Sequence, residues 1–206
     1  MKICLVGGRG NMASRYRAIL RMFGHETVSW DLDEKPDLGS VDRFIVCTPT
    51  PTHFDVLMEI IPLGKPVLCE KPVSTVPEEL ETIGIRAQLY DTPVQMVMQY
   101  IFLWNPKSDG PSHYDYFKHG PDGVPWDMMQ CVAMARGEVS LGEESPIWDC
   151  VINGQRLNIA AMDFAYVEMI KHWLADPTDQ PWEFIATAHR KVHEYAAKEN
   201  SNSNPG

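Results

Sequence analysis

Apolar and polar positions alternate in blocks along the first half of the chain. Residues 2–6 form a short apolar run that ends in glycine, the pattern of a buried strand. Between Asn11 and Phe23, the apolar positions Met12, Tyr16, Ile19, Leu20 and Phe23 fall at helical spacing, and Gly24 is a stop signal. Residues 27–30 predict a second strand, ending at Asp31. A polar loop over 33–39 leads to a third strand at 44–47. Residues 54–63 predict a helix closed by Gly64, and 67–69 a fourth strand. Thr75-x-x-Glu78 reads as a capping box, with Pro77 in the first turn of a helix reaching Tyr90. Residues 94–99 predict a fifth strand. This alternation implies parallel β-α-β units with right-handed crossovers.

Beyond residue 99 the rhythm breaks. Residues 104–126 carry Pro106, Pro111, Pro121 and Pro125 among glycines and aromatics. They predict a long loop whose Tyr114, Tyr116, Phe117 and Trp126 seek burial, as a small core or as a pocket lining. Residues 127–136 predict a helix ending at Gly137. Apolar runs at 148–152 and 156–159 flank Asn153-Gly154, a strong hairpin signal. Residues 162–174 and 182–198 read as two closing helices, and 201–206 as a polar tail. The expected organisation is α/β. A mostly parallel sheet occupies residues 1–100, and a small α+β domain occupies 101–206.

Composition narrows the classes of function. The chain has 206 residues, 44% hydrophobic and 22% charged, enough to bury a real core. Its 18 basic and 28 acidic side chains give a net charge of −10, a poor match for nucleic acid or an acidic membrane surface. No apolar stretch approaches the roughly 18–20 residues needed to span a bilayer. The opening MKICLVGGRG has too short an apolar run for a signal peptide. Five cysteines without C-x-x-C spacing predict reduced thiols in a cytoplasmic protein. No His/Cys/Asp/Glu set shows metal-ligand spacing, so no metal is expected. No nucleophile elbow is present either.

Candidate chemistry gathers at the carboxyl ends of the predicted strands, where parallel sheets bind ligands. Gly8-x-Gly10-x-x-Ala13 follows a strand and opens a helix. In that context Gly8 permits a tight turn, Gly10 lets the backbone approach a pyrophosphate, and Ala13 allows close helix–strand packing. The first helical residues, Asn11 and Met12, present free N–H groups and a positive dipole end to phosphates. Asp31, at the end of the second strand, can accept the hydroxyls of an adenosine ribose and repel a 2′-phosphate. Asp33 and Glu34 deepen that repulsion, opposed by Lys35. NAD is therefore favoured over NADP.

Residues 44–72 read FIVCTPTPTHFDVLMEIIPLGKPVLCEKP. This segment resembles the Gfo/Idh/MocA family of nicotinamide-dependent oxidoreductases, with its T-P-x-x-x-H turn, Gly-Lys strand lead-in and C-E-K-P. The likeness covers residues 1–32 and 41–106, more weakly at YIFLWNP. It implies a Rossmann-like domain and a hydride transfer on a small polyol, sugar or cyclic substrate. It places Thr48, Pro49, Thr52 and His53 among the cofactor-binding residues, the turn lying against the nicotinamide ribose. It has Glu70 fix the loop or cofactor, and sets Lys71 between nicotinamide and substrate. A lysine there can bond the reacting oxygen and relay a proton.

The chain also departs from the family pattern. Residues 32–40 are too few for a crossover helix, so the sheet is expected to be about one strand smaller on the adenine side. The family's large second domain is cut to about 100 residues. Asp127 matches a family aspartate that acts in substrate binding and proton transfer. Cys131 stands where a histidine follows it, and His113, His119 and His172 are possible substitutes. A reduced second half leaves apolar surface for a second copy, which predicts a homo-oligomer. Three readings follow: an NAD-dependent oxidoreductase, a catalytically silent NAD(H)- or metabolite-binding protein, and an interaction protein that has lost its ligand.

Overall fold

The computed structural model describes residues 1–115, 124–142, 145 and 147–202, with backbone alone for 199–202. The chain forms two compact units. Met1–Val97 and Ile170–Trp182 make the first, and Met98–Met169 and Glu183–Gly206 the second. The segment Ile170–Trp182 thus belongs with the first unit, although it lies late in the chain.

Five parallel strands build the first unit: β1 (Lys2–Val6), β2 (Glu26–Trp30), β3 (Arg43–Val46), β4 (Val67–Cys69) and β5 (Val94–Met96). Their order is β2-β1-β3-β4-β5. Strands β1, β3, β4 and β5 are almost continuously apolar and buried, as expected where helices cover both faces. Helix α1 (Asn11–Met22) buries Ala13, Tyr16, Ile19 and Leu20. It ends at Gly24, whose φ of +75° lets the His25 N–H reach back to Leu20. Helices α2 (His53–Ile60) and α3 (Pro77–Leu89) supply the other crossovers.

The connection from β2 to β3 holds no α-helix, only a single 3-10 turn at Leu38–Ser40. The shortened adenine side expected from the sequence is therefore present, and β2 is an edge strand. The capping box expected at Thr75 and Glu78 does not form. Val76 occupies the N-cap without a side-chain cap, and Ser74 braces the helix start from outside, accepting from the Val76 N–H and donating to Glu79. Pro77 at the first helical position shifts the register of the cap by one residue.

The second unit carries a four-stranded sheet ordered β7-β6-β8-β9, from β6 (Ser112–Tyr114), β7 (Val139–Leu141), β8 (Cys150–Ile152) and β9 (Gln155–Arg156). Strand β6 lies within the stretch expected to be only loop. Three residues beside Pro111 are too short to show alternation. The hairpin forms at Asn153-Gly154, with φ of +48° and +80°. Asn153 is buried, accepts from the Arg136 N–H and donates to the Met134 carbonyl. Helix α4 spans Met129–Met134 after a 3-10 turn at Trp126–Met128. Helices α5 (Met162–Ala175) and α6 (Trp182–Asn202) close the chain. Among the described residues no helix is long and apolar enough to cross a membrane, and all five cysteines are free.

Two packing details set measurable energies. Gly84 on α3 faces the Trp182 indole, where an added Cβ would lie 2.1 Å from Nε1. Glycine inside a helix ordinarily costs up to about 1 kcal/mol against alanine. Here the sign reverses: we expect Gly84→Ala to lower stability by about 1–3 kcal/mol in urea unfolding. The same change in a Trp182→Ala background should become neutral or stabilising. In the second unit, burial holds the His189 imidazole down to about pKa 4, with His193 adding to the shift. The folded chain thus keeps His189 neutral where the unfolded chain takes a proton near 6.5. Stability should fall as pH drops from 6.5 towards 4, by about 3 kcal/mol in all. Urea titrations of the parent and His189→Gln, compared across that window, measure it.

Candidate functional site

The strand order places β1 between β2 and β3, so the chain reverses direction of winding at the β1/β3 boundary. That switch point is where open α/β sheets bind ligands. The loop after β1 enters it as Gly7-Gly8-Arg9-Gly10. The left-handed turn residue is Gly7, with φ of +81°, and not Gly8. A Cβ on Gly7 would meet Thr48 and Cys47 at 3.0–3.1 Å. Gly8 answers a different constraint, since its Cβ would overlap the Ser29 side chain at 2.5 Å. Gly10 is the N-cap of α1, and no side chain caps the helix there. The amides of Asn11 and Met12 thus head a twelve-residue helix at the switch point. Arg17 holds the loop from below, donating to the Gly8 carbonyl at 2.7 Å and to Ser29 Oγ at 3.0 Å.

Asp31 follows β2. Its Oδ2 is buried and has no hydrogen-bond partner, although Arg9 Nε lies 3.8 Å away. Thr48 Oγ1, after β3, is buried and unpartnered as well. A buried polar atom without a partner is costly, and such atoms flank the glycine loop on both sides. Pro49 and Thr52 shape the turn that follows, with Thr52 Oγ1 donating to the Pro49 carbonyl. Lys35 does not face Asp31. It pairs with Glu59 and lies over the Trp30 ring. The cation that opposes the acidic turn is Arg9.

His53 begins α2 and is 1% exposed. Its Nε2 meets the Thr48 carbonyl at 2.9 Å and its Nδ1 the Pro72 carbonyl at 3.0 Å. The imidazole therefore lies between the T-P turn and the E-K-P loop, donating to a carbonyl from each ring nitrogen that carries a proton. Glu70 ties that loop to α1: Oε1 accepts from the Tyr16 hydroxyl, and Oε2 from the Lys71 N–H. Lys71 is half-buried, its peptide bond to Pro72 is cis, and its ammonium has no partner among the described residues. Burial pushes the thiols of Cys4 and Cys47 up to about 12, so neither is a thiolate at neutral pH.

In the second unit Asp127 lies in the 3-10 turn before α4. Its carbonyl and Oδ2 accept from the Tyr114 hydroxyl at 3.2 and 3.4 Å. Cys131 is fully buried, with Sγ towards the Val151 carbonyl. His113 bonds Asp115 and Ser140 across β6 and β7. His172 is exposed and belongs to the first unit. His119, Tyr116 and Phe117 lie outside the described residues. Among the described residues no group of three acidic, histidine or cysteine side chains is arranged for a metal ion.

Residues 3–97 match the family model described as the oxidoreductase family with an NAD-binding Rossmann fold. This segment belongs to the Gfo/Idh/MocA family. The rhizopine catabolism protein MocA of Rhizobium meliloti is 35% identical over 60 residues, 29% of this chain and 19% of that protein. The scyllo-inositol 2-dehydrogenase (NADP(+)) IolW of Bacillus subtilis is 35% identical over 72 residues, 35% of this chain and 20% of that protein. The chain thus aligns with about a fifth of each relative's length. Among solved structures, the WlbA (WbpB) dehydrogenase of Thermus thermophilus, in complex with NAD and UDP-GlcNAcA, superposes with a TM-score of 0.73. That match covers 95% of this chain and 94% of the other at 15% identity, a likeness of fold. Arg9, Tyr16 and Arg17 were not singled out by motif reading. Arg17 and Tyr16 hold backbone and loop from within a helix, and no spacing rule marks them.

The clasp formed by His53 has a measurable consequence. Removing its ring leaves the Thr48 and Pro72 carbonyls without these partners. We expect His53→Ala to destabilise the first unit by about 2–4 kcal/mol in denaturant unfolding. Proteolysis should then cut first near the T-P turn or the E-K-P loop, and cleavage mapping checks this.

Proposed function

We propose that the chain is an NAD(H)-dependent oxidoreductase acting on a hydroxyl or carbonyl carbon of a small polyol, sugar or cyclic substrate. The observation that carries the reading is the pair of buried, unpartnered oxygens, Asp31 Oδ2 and Thr48 Oγ1, on either side of a glycine loop with an uncapped helix behind it. Those groups fit a dinucleotide. Asp31 accepts from the adenosine ribose, the amides of Asn11 and Met12 with Gly8 and Gly10 receive the pyrophosphate, and Thr48, Pro49 and Thr52 line the nicotinamide ribose. A nicotinamide bound there would supply the hydride acceptor or donor. His53 and Glu70 act at one remove, positioning the turn and the loop. Lys71 bonds the reacting oxygen, stabilises the negative charge that develops on it and relays the proton. A neutral ribose diol suits Asp31 better than a 2′-phosphate, which favours NAD over NADP. Assembly into a homo-oligomer in the cytoplasm completes the proposal.

A second reading has one observation in its favour. Cys131, in the place of the family's histidine, is sealed in the core. The chain would then bind NAD(H) without turnover.

Titration with NADH and NADPH, followed by quenching of tryptophan fluorescence and energy transfer to the nicotinamide, tests the proposal. Saturable NADH binding is expected, weaker for NADPH, and weakened about tenfold or more by Asp31→Ala. On a panel of polyols and sugars, Lys71→Ala should cut kcat by about a hundredfold or more while NADH affinity stays within about twofold. No binding of either nucleotide at millimolar concentration would overturn the proposal. Tight binding without turnover on the panel would favour the second reading.

A further inference from the structure

We infer that Arg9 is a hidden second determinant of cofactor choice, kept from a 2′-phosphate by the carboxylates of Asp33 and Glu34. The inference rests on the dinucleotide reading of the groove given above.

Arg9 stands between Gly8 and Gly10, so its backbone is set by the loop and its side chain reaches the turn after β2. The guanidinium lies across three carboxylates: NH1 is 2.8 Å from Asp33, Nε is 3.8 Å from Asp31, and NH2 is 4.0 Å from Glu34. Local backbone brings these acids together. Asp31 and Glu34 exchange both main-chain hydrogen bonds, at 2.8 and 3.2 Å, around Leu32 and Asp33. The turn therefore stands Asp31 and Glu34 side by side and puts Asp33 at the tip. The hydrogen bond with Arg9 lowers the pKa of Asp33 and raises that of the guanidinium, so both stay charged.

Exposure separates the three acids. The Asp31 side chain is 14% exposed, whereas Arg9, Asp33 and Glu34 are 63–68% exposed. Asp31 belongs to the buried floor, and the other three form a solvated cluster at its rim. Lys35, the other cation of the segment, is turned to Glu59 and Trp30. The rim thus carries one positive and two negative charges, with the Asp31 carboxylate a third negative charge beneath it. A ribose diol is neutral and tolerates that balance. A 2′-phosphate brings about two negative charges and needs a guanidinium fork, the geometry that Arg provides. The fork is present, already directed at this turn, and occupied by Asp33.

Singly, exposed ion pairs are weak. Removing Asp33 and Glu34 together does more than break pairs, because it releases Arg9 and takes away two repelling charges. Arg9 then competes for the incoming phosphate while Asp31 remains to hold NADH.

The test is Asp33→Asn/Glu34→Gln, titrated with NADH and NADPH at low and high salt. NADH affinity should stay within about threefold, and the NADPH:NADH affinity ratio should rise by about tenfold or more, shrinking as salt is added. Arg9→Ala on top of the double variant should cancel most of that gain. Arg9→Ala alone in the parent should change NADPH binding little, since the fork is occupied there. An unchanged ratio with intact NADH binding overturns this inference alone. A gain that survives Arg9→Ala also overturns it, because bulk charge would then explain the effect. Loss of all nucleotide binding in the parent chain would overturn the reading of the groove, and this inference with it.

Discussion

Where a methyl group on Gly7 would stand, Thr48 already stands. That close approach is the constraint from which the switch point follows. It lets the loop after β1 cross the end of β3 without a gap. It also sets the amino end of α1 against the turn that begins at Thr48. On the other side, the bare backbone of Gly8 lets Ser29 of β2 close in. Three strand ends are thus drawn together by side chains that are missing. Arg17 then fills the remaining demand by bonding both the Gly8 carbonyl and Ser29.

A second tier of contacts fixes what surrounds that junction. His53 uses both ring nitrogens on carbonyls from two different loops, and Glu70 uses both oxygens on α1 and on its own loop. Both side chains are engaged in holding the two loops. Lys71 sits between the two clasps with its main chain held and its ammonium without a partner among the described residues. Rigid positioning of a flexible cation is a common arrangement where charge must be met at a defined point.

Much of the first unit was legible because its signals are long or repeated. Buried parallel strands read as apolar runs, α1 carries several turns of amphipathic spacing, and C-E-K-P with its upstream turn is specific. Errors arose where the determinant is a single contact. Gly7 and Gly8 differ in role by what stands opposite each, which no motif encodes. The helix starts one residue later than expected, at Pro77 after an uncapped Val76, with Ser74 bracing it from outside. The cation facing the acidic turn is Arg9, from the loop after β1, and not Lys35, which is nearer in sequence to Asp31 but pairs with Glu59. In the second unit, β6 is three residues long, and its partners come from 25 or more positions further along. Pairing at that range leaves no period to detect. Asn153-Gly154 was visible as a turn, but not that Asn153 would be buried to bond both Arg136 and Met134.

The missing helix between β2 and β3 has an evolutionary consequence. In a longer crossover the wall beside Asp31 would be packed, and a change there would disturb a hydrophobic face. Here the wall is a solvated turn whose acids carry none of the core. The residues that keep the sheet folded and those exposed at this turn are therefore separate sets. The turn can change by one or two substitutions while the scaffold bears no load from the change. Selection on folding leaves this connection open to variation that a packed helix would not tolerate.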